Sequence, residues 1–164
     1  KRGVLFEVGH GGGSFSWGVA VPAVKEGFVP DAISTDLHIG SMNTGMKDQL
    51  NVMGKFLALG LSLEDVIAKS TWGPARMVKR EDLGHLSVGA PADVTVLSLQ
   101  KGSFGFVDSF GGKMRGDRKL VCELTLRDGR ILYDLNGLAR PEWQTLPKGY
   151  RTTGHGRWDG YSRR

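Results

Sequence analysis

Ile33-Ser34-Thr35-Asp36-Leu37-His38 is an apolar lead-in that ends abruptly in a carboxylate and an imidazole. With Asp31 and Ala32 before it, the segment predicts a short buried strand over residues 31–35. An ionisable residue at the C-terminal end of such a strand sits where α/β barrels and open α/β sheets place their chemistry. Asp36 and His38 alternate along an extended chain, so both can face one pocket mouth. A carboxylate and an imidazole so placed can bind a metal or carry a proton. Read as structure alone, Asp36 is instead a residue capping the loop after the strand.

Upstream, residues 4–8 read as a second buried strand, followed by the loop Gly9-His10-Gly11-Gly12-Gly13-Ser14-Phe15-Ser16. Ser14 then caps a helix over residues 17–26 that Pro22 bends or shortens. Downstream, Met46, Leu50, Met53 and Leu57 recur at steps of three and four and predict an amphipathic helix that Gly60 ends. Ser62-Leu63-Glu64-Asp65 has a capping pattern for the next helix, with Val66, Ile67 and Trp72 on its core face. Pro74 suits the first residue of one further helical turn. Strand, helix, strand, helices is the order of a parallel sheet.

The pattern changes near Leu83. Residues 84–93 are rich in turn formers, and Val94-Thr95-Val96-Leu97 reads as a β-branched strand. Residues 120–126 and 130–133 flank Arg127-Asp128-Gly129, a hairpin signal. Val121, Glu123 and Thr125 alternate with Cys122, Leu124 and Leu126, which predicts one buried and one wet face, with Cys122 buried. These strands form an antiparallel unit.

Composition bounds the rest. The chain has 164 residues, the size of one domain or one and a half. Its 25 glycines are about twice the usual share and point to many tight turns. No apolar run approaches the roughly 20 residues that span a bilayer. The first residues, with Glu7 inside a short apolar stretch, read as a strand and not as a signal peptide. The single Cys122 excludes an intrachain disulfide and fits a reducing compartment, so the cytoplasm is expected. Of the net charge of +5, residues 143–164 carry +4, so the body is close to neutral. Aromatic residues interleave with Arg in that tail, as in single-strand nucleic-acid binders, but a disordered terminus is the preferred reading.

Several of these motifs together resemble the C-terminal portion of the amidohydrolase superfamily, metal-dependent hydrolases that include dihydroorotase, D-aminoacylase and adenine deaminase. Ser34-Thr35-Asp36-Leu37-His38 resembles the end of the eighth barrel strand, with Asp36 at the metal-ligating catalytic aspartate. Thr71-Trp72-Gly73-Pro74-Ala75-Arg76 is similar to the family's T-x-x-P-A-R turn. Residues 83–94 follow its L-G-x-L-x-x-G-x-x-A-D-(L/V) entry into a small β domain. Gly9-His10-Gly11, with Ser14-Phe15, resembles the seventh-strand end of the amidohydrolase/deacetylase subgroup. The resemblance covers residues 2–141.

It implies an α/β fold: the last βα units of a TIM-like (β/α)8 barrel over residues 1–82 and part of a β-sandwich over 83–141; residues 142–164, beyond it, read from their charge as a basic, disordered tail. It implies hydrolysis of an amide or cyclic-amide C–N bond in a small molecule, with one or two divalent ions, usually Zn²⁺. Asp36 would be metal ligand and general acid/base, and His10, Gly11 and His38 would bind substrate. For His10 the alternative is a loop histidine tied to backbone, and for His38 it is hydrogen-bonding support of Asp36. The backbone of Gly11-Gly12-Gly13 could approach an anionic group, and residues 42–44 could close over substrate. No His-x-His occurs in the sequence, so the family's other ligands are expected to lie outside it. The expectation is a truncated chain, inactive alone; the alternative is a non-catalytic module that docks on a partner supplying the missing barrel. No membrane partner is expected, and a homo-oligomer stays open.

Overall fold

The computed structural model describes residues 2–42 and 44–149. They fall into two compact units, one drawn from Lys1–Ala90 and Ser98–Val121, the other from Pro91–Leu97 and Cys122–Arg164. Compactness therefore divides the chain elsewhere than at residue 82, because two strands run much longer than their β-branched cores suggested. No helix among the described residues is long and apolar enough to cross a membrane.

The first unit holds β1 (Glu7–Gly9) and β2 (Ala32–Ser34), paired in parallel with Val8 opposite Ile33. Between them runs α1 (Trp17–Lys25), capped by Ser16, whose hydroxyl accepts from Gly18 N. The cap is thus Ser16 and not Ser14, and Pro22 sits inside the helix. After β2 come α2 (Gln49–Ala58), α3 (Leu63–Ser70) and α4 (Trp72–Met77), and each packs on β2. Asp48 caps α2 by accepting from Asn51 N, and Ser62 caps α3 by accepting from Asp65 N, as its sequence pattern predicted.

Ala32 and Ile33 on β2, Val52, Met53, Phe56 and Leu57 on α2, and Val66 on α3 form the core. Full burial of each larger side chain stabilises the fold by about 1.5–3 kcal/mol. Two expectations need correction. Val4, Leu5 and Phe6 are exposed, and the strand is only Glu7–Gly9, because among the described residues β1 has a neighbour on one edge alone. Pro74 is the third residue of α4, since Ala75 N already bonds Thr71 O. The second residue, Gly73, has no room for a side chain: a Cβ there would lie 2.8 Å from the Asp31 carbonyl.

The remainder of this unit is an arm made by the later part of β3 (Val94–Val107) and the earlier part of β4 (Lys113–Arg127). Along it Met114, Gly116, Arg118 and Leu120 are at least half-buried, while Lys113, Arg115, Asp117 and Lys119 face water. The arm is anchored by Phe106, whose ring lies between Gly54 of α2 and Gly116 of β4. The indole N–H of Trp17 donates to the Phe106 and Gly112 carbonyls at 3.1 Å.

In the second unit the end of β4 pairs antiparallel with β5 (Arg130–Asp134). Asp128 and Gly129 have φ of 49° and 72°, the left-handed pair of a tight hairpin turn, as predicted. The expected buried and wet faces are not found: residues 121–126 are all half-buried, and Cys122, its thiol 3.2 Å from the Thr125 hydroxyl, is not enclosed. So small a sheet cannot close one face completely. Within the expected tail, Trp143–Thr145 forms a 3₁₀ turn; Asn43 and the Arg-aromatic stretch of residues 150–164 lie outside the described residues.

Candidate active site

The C-terminal ends of β1 and β2 lie side by side, joined beyond the strands by a 2.8 Å bond from Gly11 N to the Thr35 carbonyl. Asp36 follows at once, exposed and with a φ of 49°. Left-handed backbone is uncommon outside glycine, and aspartate tolerates it better than most residues. The turn swings the carboxylate toward β1: a Cβ on Gly11 would stand 2.8 Å from Asp36 Oδ2. Gly11, itself at φ 51°, is therefore glycine for space as well as conformation.

Ser41 organises the loop after Asp36. It is fully buried, and its hydroxyl accepts from His38 N at 2.9 Å while lying within 3.3 Å of the Asp36 and His38 carbonyls, to which its proton can go. His38 is exposed, and its Nδ1 accepts from Gly40 N at 3.1 Å. No bond joins it to Asp36, so the supporting role considered for His38 is not made in this structure. Its free Nε2 edge stays open to a ligand.

For His10 the sequence left substrate contact and a backbone tie evenly open. Its ring is fully buried and stacked on Phe15 at 4.8 Å. Nδ1 donates to the Gly11 carbonyl at 2.8 Å, which leaves Nε2 to accept from Lys55 Nζ at 2.5 Å. Neither nitrogen remains for a substrate, and the backbone-tied alternative is the observed one. Burial, with the nearby Lys55 charge, lowers the His10 pKa below the ordinary value, which keeps the ring neutral.

Lys55 is equally enclosed. Its other two protons go to the carbonyls of Gly45 at 3.0 Å and Val107 at 2.6 Å. Burial pulls its pKa down to about 8, with Asp108 opposing the shift. Asp108 accepts from the backbone N–H of Trp17, Phe110 and Gly112. Burial alone would raise its pKa, but these donors and the Lys55 charge hold it below the usual carboxylate value.

Lys55, Ser41 and Asp108 escaped sequence reasoning. Lys55 lies off the Met46-Leu50-Met53-Leu57 stripe and so reads as a solvent-side residue. The available signal was that Val52 and Phe56 are also off that stripe, which marks a helix buried on most sides.

A family model for the amidohydrolase family matches residues 19–143. The chain belongs to the amidohydrolase family. A protein of Brucella anthropi named deacetylase is 40% identical over 71% of this chain and 29% of its own length. A crystal structure of an adenine deaminase superposes with a TM-score of 0.77 at 32% identity, over 81% of this chain and 36% of that one. A dihydroorotase structure gives 0.73 at 34% identity, over 79% and 36%. This amidohydrolase chain thus spans about a third of the length of the proteins it matches.

Such enzymes generally use divalent metal ions. Among the described residues no three His, Cys, Asp or Glu side chains converge in a set that could hold one. At the ends of β1 and β2 the exposed Asp36 carboxylate, which takes no hydrogen bond from another described residue, is a suitable donor. That fits one position of a metal centre, not a complete one.

Proposed function

We propose that this chain supplies the last two βα units of a (β/α)8 hydrolase that cleaves an amide C–N bond, with Asp36 as a metal ligand and proton carrier. The observation that carries this reading is the pairing of two parallel strand ends, which leaves the Asp36 carboxylate unpartnered beside Gly11. In barrels of this kind chemistry gathers at that face. When bound, a divalent ion, Zn²⁺ by the resemblance, supplies a water of lowered pKa and polarises the carbonyl. Asp36 takes the proton from the attacking water as the C–O bond forms. It returns that proton to the leaving nitrogen as the C–N bond breaks, giving a carboxylic acid and an amine. The Gly11 backbone beside that carboxylate, with the exposed His38 two residues after Asp36, would orient the substrate.

The substrate class we favour is an N-acyl amino compound, because the relative with the highest identity of the three is named a deacetylase. The test is release of acid from N-acetyl amino acids by the protein that carries this segment, set against dihydroorotate and adenine. Hydrolysis should vanish on chelation and return with Zn²⁺. Full hydrolysis in the presence of chelator would refute the metal role, and turnover of dihydroorotate or adenine alone would refute the N-acyl assignment.

A further inference from the structure

We propose that Lys55 is the positioning residue of this site, holding both flanks of Asp36 through one buried ammonium. The inference rests on the functional reading above.

An ammonium has three protons, and here each is taken by a different segment: His10 Nε2 after β1, the Gly45 carbonyl in the connection from Asp36 to α2, and the Val107 carbonyl at the end of β3. The first contact is passed on toward the site. His10 Nδ1 donates to the Gly11 carbonyl, the Gly11 N–H donates to Thr35, and Gly11 is the surface against which Asp36 Oδ2 rests. Stacking on Phe15 stops the imidazole from turning out of this line. The second contact holds the far end of the loop that begins at Asp36. The third ties both to the arm, where Gly45 packs so closely on Asp108 that a Cβ would collide with its carbonyl.

Packing alone does not call for a lysine. Burying an ammonium costs several kcal/mol, and an apolar side chain of similar length often does as well for stability. What methionine lacks is direction: it could fill the volume and leave three carbonyl and imidazole acceptors without a common donor. Lys55 neither faces solvent nor touches Asp36, so any effect it has on chemistry must pass through His10, Gly11 and Gly45.

The experiment has two arms. In the unmodified chain, nitrogen NMR of His10 should show Nδ1 protonated and Nε2 an acceptor, and Lys55→Met should move the Nε2 signal to that of an unbonded nitrogen. The opposite tautomer in the unmodified chain overturns the proposal, as does an Nε2 signal that Lys55→Met leaves in place. In the enzyme that carries this segment, Lys55→Met should lower kcat for an N-acetyl amino acid about 10- to 100-fold with KM little changed, as loss of a supporting partner typically does. Lys55→Gln, which keeps an amide donor, should recover part of that loss and covers the case in which the methionine variant does not fold. Unchanged kcat in either variant, while Asp36→Asn abolishes turnover, would overturn the Lys55 role and leave the Asp36 reading intact. Unchanged turnover in Asp36→Asn would overturn that reading instead.

Discussion

Gly54 lies inside α2, where alanine ordinarily stabilises a helix by about 1 kcal/mol over glycine. The structure reverses that expectation. A Cβ on Gly54 would fall 2.5 Å from Cε1 and 2.8 Å from Cζ of Phe106, more than an ångström inside normal contact. The ring cannot retreat, because on its other side it meets Gly116, where an added Cβ would lie 2.9 Å away. Overpacking of this kind costs about 1–3 kcal/mol. After the helix gain is set against it, Gly54→Ala should destabilise the chain by up to about 2 kcal/mol in urea unfolding followed by circular dichroism. Adding Phe106→Leu should return part of the loss, since the shortened side chain leaves the new methyl its space. If Gly54→Ala instead raised stability by about 1 kcal/mol, the arm would not be docked on α2 through Phe106, and the Lys55–Val107 contact would lose its basis.

Further outcomes follow from the site and its supports. Gly11→Ala forces a left-handed alanine, costing about 1–2 kcal/mol in stability, and pushes on a carboxylate that can swing away. Its turnover of N-acetyl amino acids should fall about 100-fold, an effect of misplacement that its small shift in unfolding midpoint would not explain. Lys55 binds its proton less tightly when folded, at about 8 against 10.5. The unfolded chain therefore keeps more protons between those values, and stability should rise with pH across that window by about 3 kcal/mol from this group. The difference in unfolding free energy between the unmodified chain and Lys55→Met, measured from pH 7 to 10.5, isolates it; a difference that does not change with pH would be against it. Asp108 has the opposite dependence, its folded pKa lying below the unfolded one. The stability it contributes is full above about pH 4 and is lost as pH falls through the lower folded value, so Asp108→Asn should flatten the acid limb of the unfolding curve.

Much of this architecture was legible because it rests on local rules. The caps at Ser62 and the turn at Asp128-Gly129 need only a few neighbouring residues, and both formed where the sequence put them. The strand at Ala32–Ser34 was legible because β-branched and small apolar residues there lead straight into a charged loop. What failed depended on distant partners. The exposure of Val4, Leu5 and Phe6 turns on which strands lie beside β1, and no local pattern encodes that. The length of β3 and β4 was hidden because residues 98–119 are rich in glycine and charge, and only docking of Phe106 between two glycines shows why they stay extended. At the candidate site, the position of Asp36 just past a short buried strand was readable from the apolar run before it. The enclosure of His10 was not, because it depends on a lysine 45 residues away in sequence.

The most direct measurement is turnover of Asp36→Asn in the enzyme that carries this segment, with Zn²⁺ present and an N-acetyl amino acid as substrate. The asparagine keeps the shape of the side chain and removes its charge and proton capacity. A group that carries the proton in the reaction contributes about 10²- to 10⁴-fold, so kcat should fall at least that far while the unfolding midpoint stays near that of the unmodified protein. Turnover within a factor of a few of the unmodified enzyme would contradict the assignment of Asp36 to the chemistry.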